Sequence, residues 1–422
     1  MRISATYTAA VGFFLMSLLA GAGPVRAQAQ SQTLSVTAYP AVDEIIKTAL
    51  PLWKKKHPEV EIKLVSRSFD DHHTAMTTAL STSSNVPDVM ALEFAYVGRF
   101  AAGGGLEDLS QPPYRIKESQ TRFVPFAFRQ ATTSSGTVVA VPTDIGPGTL
   151  LYRADILSKA GVPEAELTQS WDSFVASGVK IKAATGAYLM AHARDMKDIL
   201  IRSNVKPGDG LYFDAAGKVV VDSPRFVRAF ELARKVRQQK LDGKIGGWST
   251  EWSQGFKNGT IATQMSGAWL AGQMASWIAP TTTGLWRAAQ LPEKAWGAWG
   301  GTFYVIPKAA KNKALAWEFV QLMTLNREAQ LSAFKVQDAF PALLEAHTDP
   351  FYDQPIEFLG GQKARLLWRD AALKINAIDV NKLDPIADEI INTELDKVLG
   401  QGKDIATALA DAKALLERRV RR

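Results

Sequence analysis

Between residues 34 and 92 the chain alternates short strand-like segments with helical ones, and that order leaves few folds open. LSVTAY (34–39) alternates apolar and polar residues as a half-buried strand does. The helix that follows carries Ile46, Leu50 and Trp53 on one face; Asp43 is placed to cap it, and Pro51 should kink or split it. EIKLVS (61–66) reads as the next strand, a helix follows over about 70–83, and 86–92 reads as a buried strand. A β-α-β-α-β run of this kind predicts a parallel sheet with helices on both faces. Ligands of such sheets sit beyond the carboxyl ends of the strands, here Tyr39, then Arg67 to Asp70, then Glu93. Asp88, at the start of the third strand, fits a structural turn better than a ligand contact.

At 422 residues the chain exceeds one ordinary core, so two domains are expected. Its basic residues are scattered apart from Lys54-Lys55-Lys56 and the terminal Arg418-Arg419 and Arg421-Arg422, which read as solvated faces rather than a nucleic-acid groove. Residues 1–27 have the organisation of a cleaved leader. Arg2 is followed by an apolar stretch from Ala9 to Ala20 and a small-x-small site at Val25-Arg26-Ala27. Removing the leader takes the net charge from +7 to +5, because Arg2 and Arg26 leave with it. The apolar stretch is short for a membrane span, and no comparable run recurs, so the mature chain is expected to be soluble. There is no cysteine, which removes disulfides, thiolate metal sites and a lipidated N-terminal cysteine together.

Aromatic residues concentrate late. Seven of the eleven tryptophans lie between Trp248 and Trp299, and two of them stand beside glycines: Trp269 after Ser266-Gly267-Ala268, and Trp299 before Gly300-Gly301. An indole at such a turn can present a flat face to the apolar side of a sugar ring while neighbouring polar groups bond the hydroxyls. Trp171 differs, since Ser170 is a good helix cap and the indole behind it reads as packing. His192 and Asp195 follow a strand expected at 188–190 and are within reach of a cleft; a lone histidine there is more often a structural hydrogen-bonder. Further helices are expected from Ser223-Pro224, over 311–325, from Asp384-Pro385 and from near Asp404.

Several passages together resemble the maltose-binding-like extracellular solute-binding proteins (family 1) of carbohydrate ABC importers. These are PDVMALEFAYVGRFAAGGGLEDLS, VAVPTDIGPGTLLYRADILSKAGV, SWD at 170–172, FKNGTIATQMSGAW, GGTFYVIPKAAKNKALAWEF and the two closing helices. The order and spacing of these passages extend the resemblance over about residues 33–420. It implies a two-lobed α/β periplasmic binding protein fold of type II, each lobe a mostly parallel sheet flanked by helices. Residues 28–145 and 298–345 would form one lobe, and 146–297 and 346–422 the other. Gly146-Pro147-Gly148 and Phe340-Pro341 would be crossings, with Asp144 facing the cleft. Where the family often has Tyr-Asn, this chain has Tyr152-Arg153.

The resemblance implies a binding protein without cofactor that carries a sugar or oligosaccharide to the membrane permease subunits of an importer driven by a cytoplasmic ATPase. It further implies a periplasmic monomer with its leader removed and no lipid anchor. The ligand-contacting set is then expected among Tyr39, Arg67, Asp70, Glu93, Asp144, Trp269, Trp299 and Gly300. Two other readings stay open. One is an anionic ligand such as a glycerol phosphodiester or acidic sugar, supported by Arg67. The other is a secreted carbohydrate-active enzyme, since carboxylates are plentiful. No nucleophile elbow, HExxH or P-loop is present. Ferric binders of related folds use adjacent tyrosines, of which this chain has none, and His72-His73 is its only close histidine pair.

Overall fold

The computed structural model describes residues 32–133 and 135–421; the leader and its cleavage site lie outside the described residues. Seven strands form one continuous sheet: β1 (Gln32–Ala38), β2 (Val60–Ser66), β3 (Val89–Glu93), β4 (Val141–Arg153), β5 (Thr263–Gly267), β6 (Trp286–Ala289) and β7 (Ala298–Val305). Their order is β2-β1-β3-β7-β4-β5, with β6 also paired to β4. The parallel expectation holds for β1, β2 and β3. The remaining pairs are antiparallel, because β7 returns between β3 and β4, and β4 then serves both halves of the sheet. Its first part, up to Pro147, pairs with β7; from Gly148 onward it pairs with β5 and β6. The segment expected as a strand at 188–190 is reduced to single parallel bridges, Tyr188 to Ile261 and Met190 to Asp242.

Strand alternation builds one core on each face of this sheet. Met90, Leu92, Leu150, Tyr152, Met265, Phe303 and Val305 point into one. Leu34, Val36, Val89, Ala91, Val141, Leu151 and Tyr304 point into the other. The helices α1 (Val42–Lys56), α2 (Phe69–Thr82) and α3 (Phe94–Ala102) follow the first three strands in turn. Two expectations for α1 need correction. Its N-cap is Ala41 in a left-handed turn at φ 73°, while Asp43 lies in the first turn and accepts the Glu44 N–H at 2.9 Å. Pro51 neither splits nor ends the helix. Its ring is exposed while Ile46 and Trp53 hold the opposite face in the core, so one missing N–H is tolerated.

The later helices match their sequence signals. Ser170 caps Trp171–Thr185 in a reciprocal capping box with Ser173, and Trp171 is fully buried behind it. Helices also run over Pro224–Gln238, Lys313–Leu325, Asp384–Gln401 and Ile405–Val420. Asp88 ties the first strands to the last third of the chain, accepting from Ser35 N–H and Oγ–H and from the backbone N–H groups of Lys311 and Asn312. It is a structural residue, as its position suggests.

Candidate functional site

Three neighbouring strands place polar side chains in one row. Glu93 ends β3 opposite Thr302 of β7, and Thr302 in turn faces Asp144 of β4. The β4 ladder is irregular between Pro142 and Asp144 and again between Ile145 and Pro147. Such shifts re-aim side chains locally, and they fall where prolines deny the ladder its N–H groups. Tyr39, just past β1, brings its phenol oxygen to 3.1 Å from Thr302 Oγ1. Two of the strand ends expected from sequence order, Tyr39 and Glu93, therefore converge with Asp144 and Thr302 only because β7 lies between β3 and β4.

Neither carboxylate in this row has an ion-pair partner within salt-bridge distance among the described residues. Burial pushes the Glu93 carboxyl up to about 7, against the Ala95 N–H it accepts at 2.8 Å and the nearby Arg202 charge. Burial likewise raises Asp144 to about 6, opposed by the Thr302 hydroxyl and N–H, and its Oδ1 is buried with no hydrogen-bond partner. A row with spare acceptor capacity can take donors from a ligand.

His73 fixes the Glu93 backbone. Its Nε2 accepts the Glu93 N–H at 3.2 Å, so its Nδ1 carries the proton, donated to Phe69 O at 2.8 Å. The ring stacks on Tyr96 at 3.9 Å, and burial lowers its pKa to about 4, consistent with a neutral imidazole. His72 bonds Ala91 O at 2.7 Å, so both histidines serve the backbone. Arg67 and Asp70 border this group without joining the row. Arg67 donates its backbone N–H to Ala38 O, its guanidinium Nη1 is buried with no hydrogen-bond partner among the described residues, and Asp70 stands exposed in the first turn of α2 beside Tyr96.

The tryptophans meet the row through β7. Trp269 Nε1 donates to Trp299 O at 2.8 Å. The glycines around it have a different role from the one their sequence suggests, because they make room for the indole edge. A Cβ would stand 2.3 Å from Trp269 Nε1 if built on Gly267, 2.9 Å on Gly146 and 3.2 Å on Gly300. Gly300 is also in the left-handed region at φ 77°, a conformation glycine adopts readily. Both indoles are half-buried. Trp299 lies under Arg202, whose guanidinium carbon is 5.2 Å from the ring centroid.

Sequence reasoning missed Thr302, Arg202, Trp248 and Trp277. Arg202 is brought in by the helix Arg194–Arg202 and is largely buried beside Asp198 at 3.5 Å; no local pattern marks it. Trp248 and Trp277 are 60% and 59% exposed, which only the structure shows, although Gly246-Gly247 before Trp248 was a usable signal. His192 and Asp195 turn inward. His192 accepts the Arg194 N–H, and Asp195, raised to about 7 by burial, accepts from Gln264 at 3.3 Å. Gln264 accepts the Trp252 indole N–H at 3.1 Å, so this chain supports the aromatic cluster from below.

Residues 34–330 match the family model described as bacterial extracellular solute-binding protein, and the chain belongs to that family. It is 26% identical over 407 residues to the lactose-binding protein of Rhizobium radiobacter, covering 90% of each chain. To the arabinooligosaccharide-binding protein of Bacillus subtilis (strain 168) it is 26% identical over 297 residues, 67% of each. The ABC transporter associated binding protein from B. animalis subsp. lactis Bl-04, solved with β-1,6-galactobiose, superposes with a TM-score of 0.77 at 22% identity, covering 91% of this chain and 96% of that one. These similarities establish the two-lobed type II fold and the role of a solute-binding protein rather than an enzyme.

Proposed function

We propose that the chain binds a neutral oligosaccharide against Glu93, Thr302, Asp144, Trp299 and Trp269, and presents it to the permease of an ABC importer. The observation that carries this reading is the juxtaposition of a carboxylate row without ion-pair partners with two half-buried indoles, Trp299 on β7 and Trp269 bonded to its carbonyl. Sugar hydroxyls donate to carboxylates, and sugar C–H faces cover indoles. The anionic alternative fares worse here. Arg67 lies at the border, Arg202 already faces Asp198, and an anion would meet the Asp144 carboxylate, which has no cationic partner among the described residues. The relatives named for lactose and arabinooligosaccharides support the same class.

The site then lies between lobes formed by 28–145 with 298–345 and by 146–297 with 346–422, joined where β4 passes from one half of the sheet to the other. Ligand contacts with both lobes favour closure. The mature protein is a periplasmic monomer beginning after Ala27. Micromolar affinity corresponds to about −8 kcal/mol, and two stacked indoles at about 0.5–1.5 kcal/mol each leave most of it to the charge-assisted hydrogen bonds. A thermal-shift screen of neutral and acidic mono- and oligosaccharides tests the reading: neutral oligosaccharides should raise the melting temperature, and continue to raise it with the logarithm of their concentration above Kd. Stabilisation by acidic saccharides alone would refute it.

A further inference from the structure

Beyond Trp269 the aromatic surface continues outward. Trp248 is stacked on Trp269 with centroids 6.0 Å apart and planes at 13°, and Trp277 on Trp248 at 6.4 Å and 23°. Rings this parallel, with Trp248 and Trp277 each about three-fifths exposed, cannot be closed face to face. They are offset like steps, each leaving part of its face to solvent. Local backbone holds them there. Trp248 sits at φ 67°, a conformation unfavourable for a bulky residue, directly after Gly246-Gly247. Trp277 is carried by the π-helical turn Met274–Ile278, a geometry frequent at functional sites. Buried Trp252, whose N–H is fixed by Gln264, lies 5.1 Å from Trp248 and supports it.

We propose that Trp248 and Trp277 form an outer stacking shelf for further sugar units, so that this site selects its ligand by chain length. The inference rests on the oligosaccharide reading and adds the residues that set length. A glycan is favoured over a protein partner as the occupant because the shelf is continuous with Trp269, which is itself tied to Trp299 and through β7 to the carboxylate row. Successive near-parallel faces, one step apart, match successive sugar rings. The outer units touch only exposed indoles, so removing those indoles should leave the inner subsites intact.

The test is calorimetric titration of malto-oligosaccharides and linear arabino-oligosaccharides, from two units upward, into the wild type, Trp248→Asn and Trp277→Ala. Asparagine accepts the left-handed backbone at 248, so that variant removes the indole without adding strain. In whichever series binds, wild-type affinity should rise with length beyond two units. Each variant should lose about two- to tenfold for the longer members and nothing for the dimer, and Trp248→Tyr should restore part of the loss. Equal weakening at every length would overturn the proposal, leaving Trp248 as a prop for Trp269. Unchanged binding at every length with loss of uptake in cells would also overturn it, making the shelf a permease contact. A wild type that binds no neutral glycan at all would instead overturn the parent reading, and this one with it.

Discussion

Replacing Trp269 by leucine separates what its indole does for folding from what it does for binding. The side chain is half-buried in a glycine-lined notch and donates to Trp299 O at 2.8 Å. Loss of that hydrogen bond costs about 0.5–1.5 kcal/mol. Leucine refills part of the notch, so the packing loss is limited to about 1–2 kcal/mol, giving a total of about 1.5–3.5 kcal/mol of stability. Leucine has no flat face, and binding of a neutral oligosaccharide should weaken by about 0.5–1.5 kcal/mol, a factor of about two to ten. Trp269→Phe keeps a face but not the donor; it should recover most of the affinity and little of the hydrogen-bond loss. Trp171→Ala is the control, because that indole is fully buried away from the row. It should cost about 3–5 kcal/mol of stability with affinity unchanged in the folded fraction. Urea denaturation of the ligand-free proteins and calorimetric titration of the same samples read both quantities. A Trp269→Leu protein that binds like the wild type would refute the stacking role and reduce Trp269 to packing.

Three further outcomes are expected. Gly146→Ala would place a Cβ 1.8 Å from Trp299 O, forcing β4 and β7 apart at the row; it should destabilise the protein by about 2–4 kcal/mol in denaturant melts, and a near-neutral result would contradict this tight approach. Glu93, at about 7 when folded against an ordinary 4.5, keeps its proton where the unfolded chain has released it, so its contribution is fully present below pH 4.5 and lost as pH rises through 7. Glu93→Gln cannot titrate; relative to it the wild type should lose up to about 3 kcal/mol between pH 4.5 and 7 in melts of the ligand-free protein, and parallel pH profiles would show that Glu93 is not desolvated. Small-angle scattering should report a smaller radius of gyration on saturation with oligosaccharide, and identical curves with and without ligand would argue against closure of two lobes.

Much of this architecture was legible in the residues because it is set locally. Alternation at 34–39, a strand-like segment at 61–66 and a buried apolar one at 86–92, with helical segments between them, dictate a parallel β1–β3 unit; Ser170 marks a helix start by its cap and Ser223-Pro224 by proline in the first turn, both effects that act within a turn. The same reasoning placed Tyr39 and Glu93 at strand ends, and Asp88 and Trp171 in structural roles. Tertiary structure decided the rest. Register across β3, β7 and β4 joins Glu93, Thr302 and Asp144, residues up to 209 positions apart, and nothing local encodes that registry. Gly267 and Gly300 appeared in sequence to free an indole face, yet they are small because Trp269 and Trp299 O occupy the space a Cβ would need. Arg202 and the exposure of Trp248 and Trp277 follow from how distant helices and turns pack. A sequence states which side chains are available and which backbone each can adopt; which of them meet, and which faces stay open to solvent, is settled only when the sheet closes around β4.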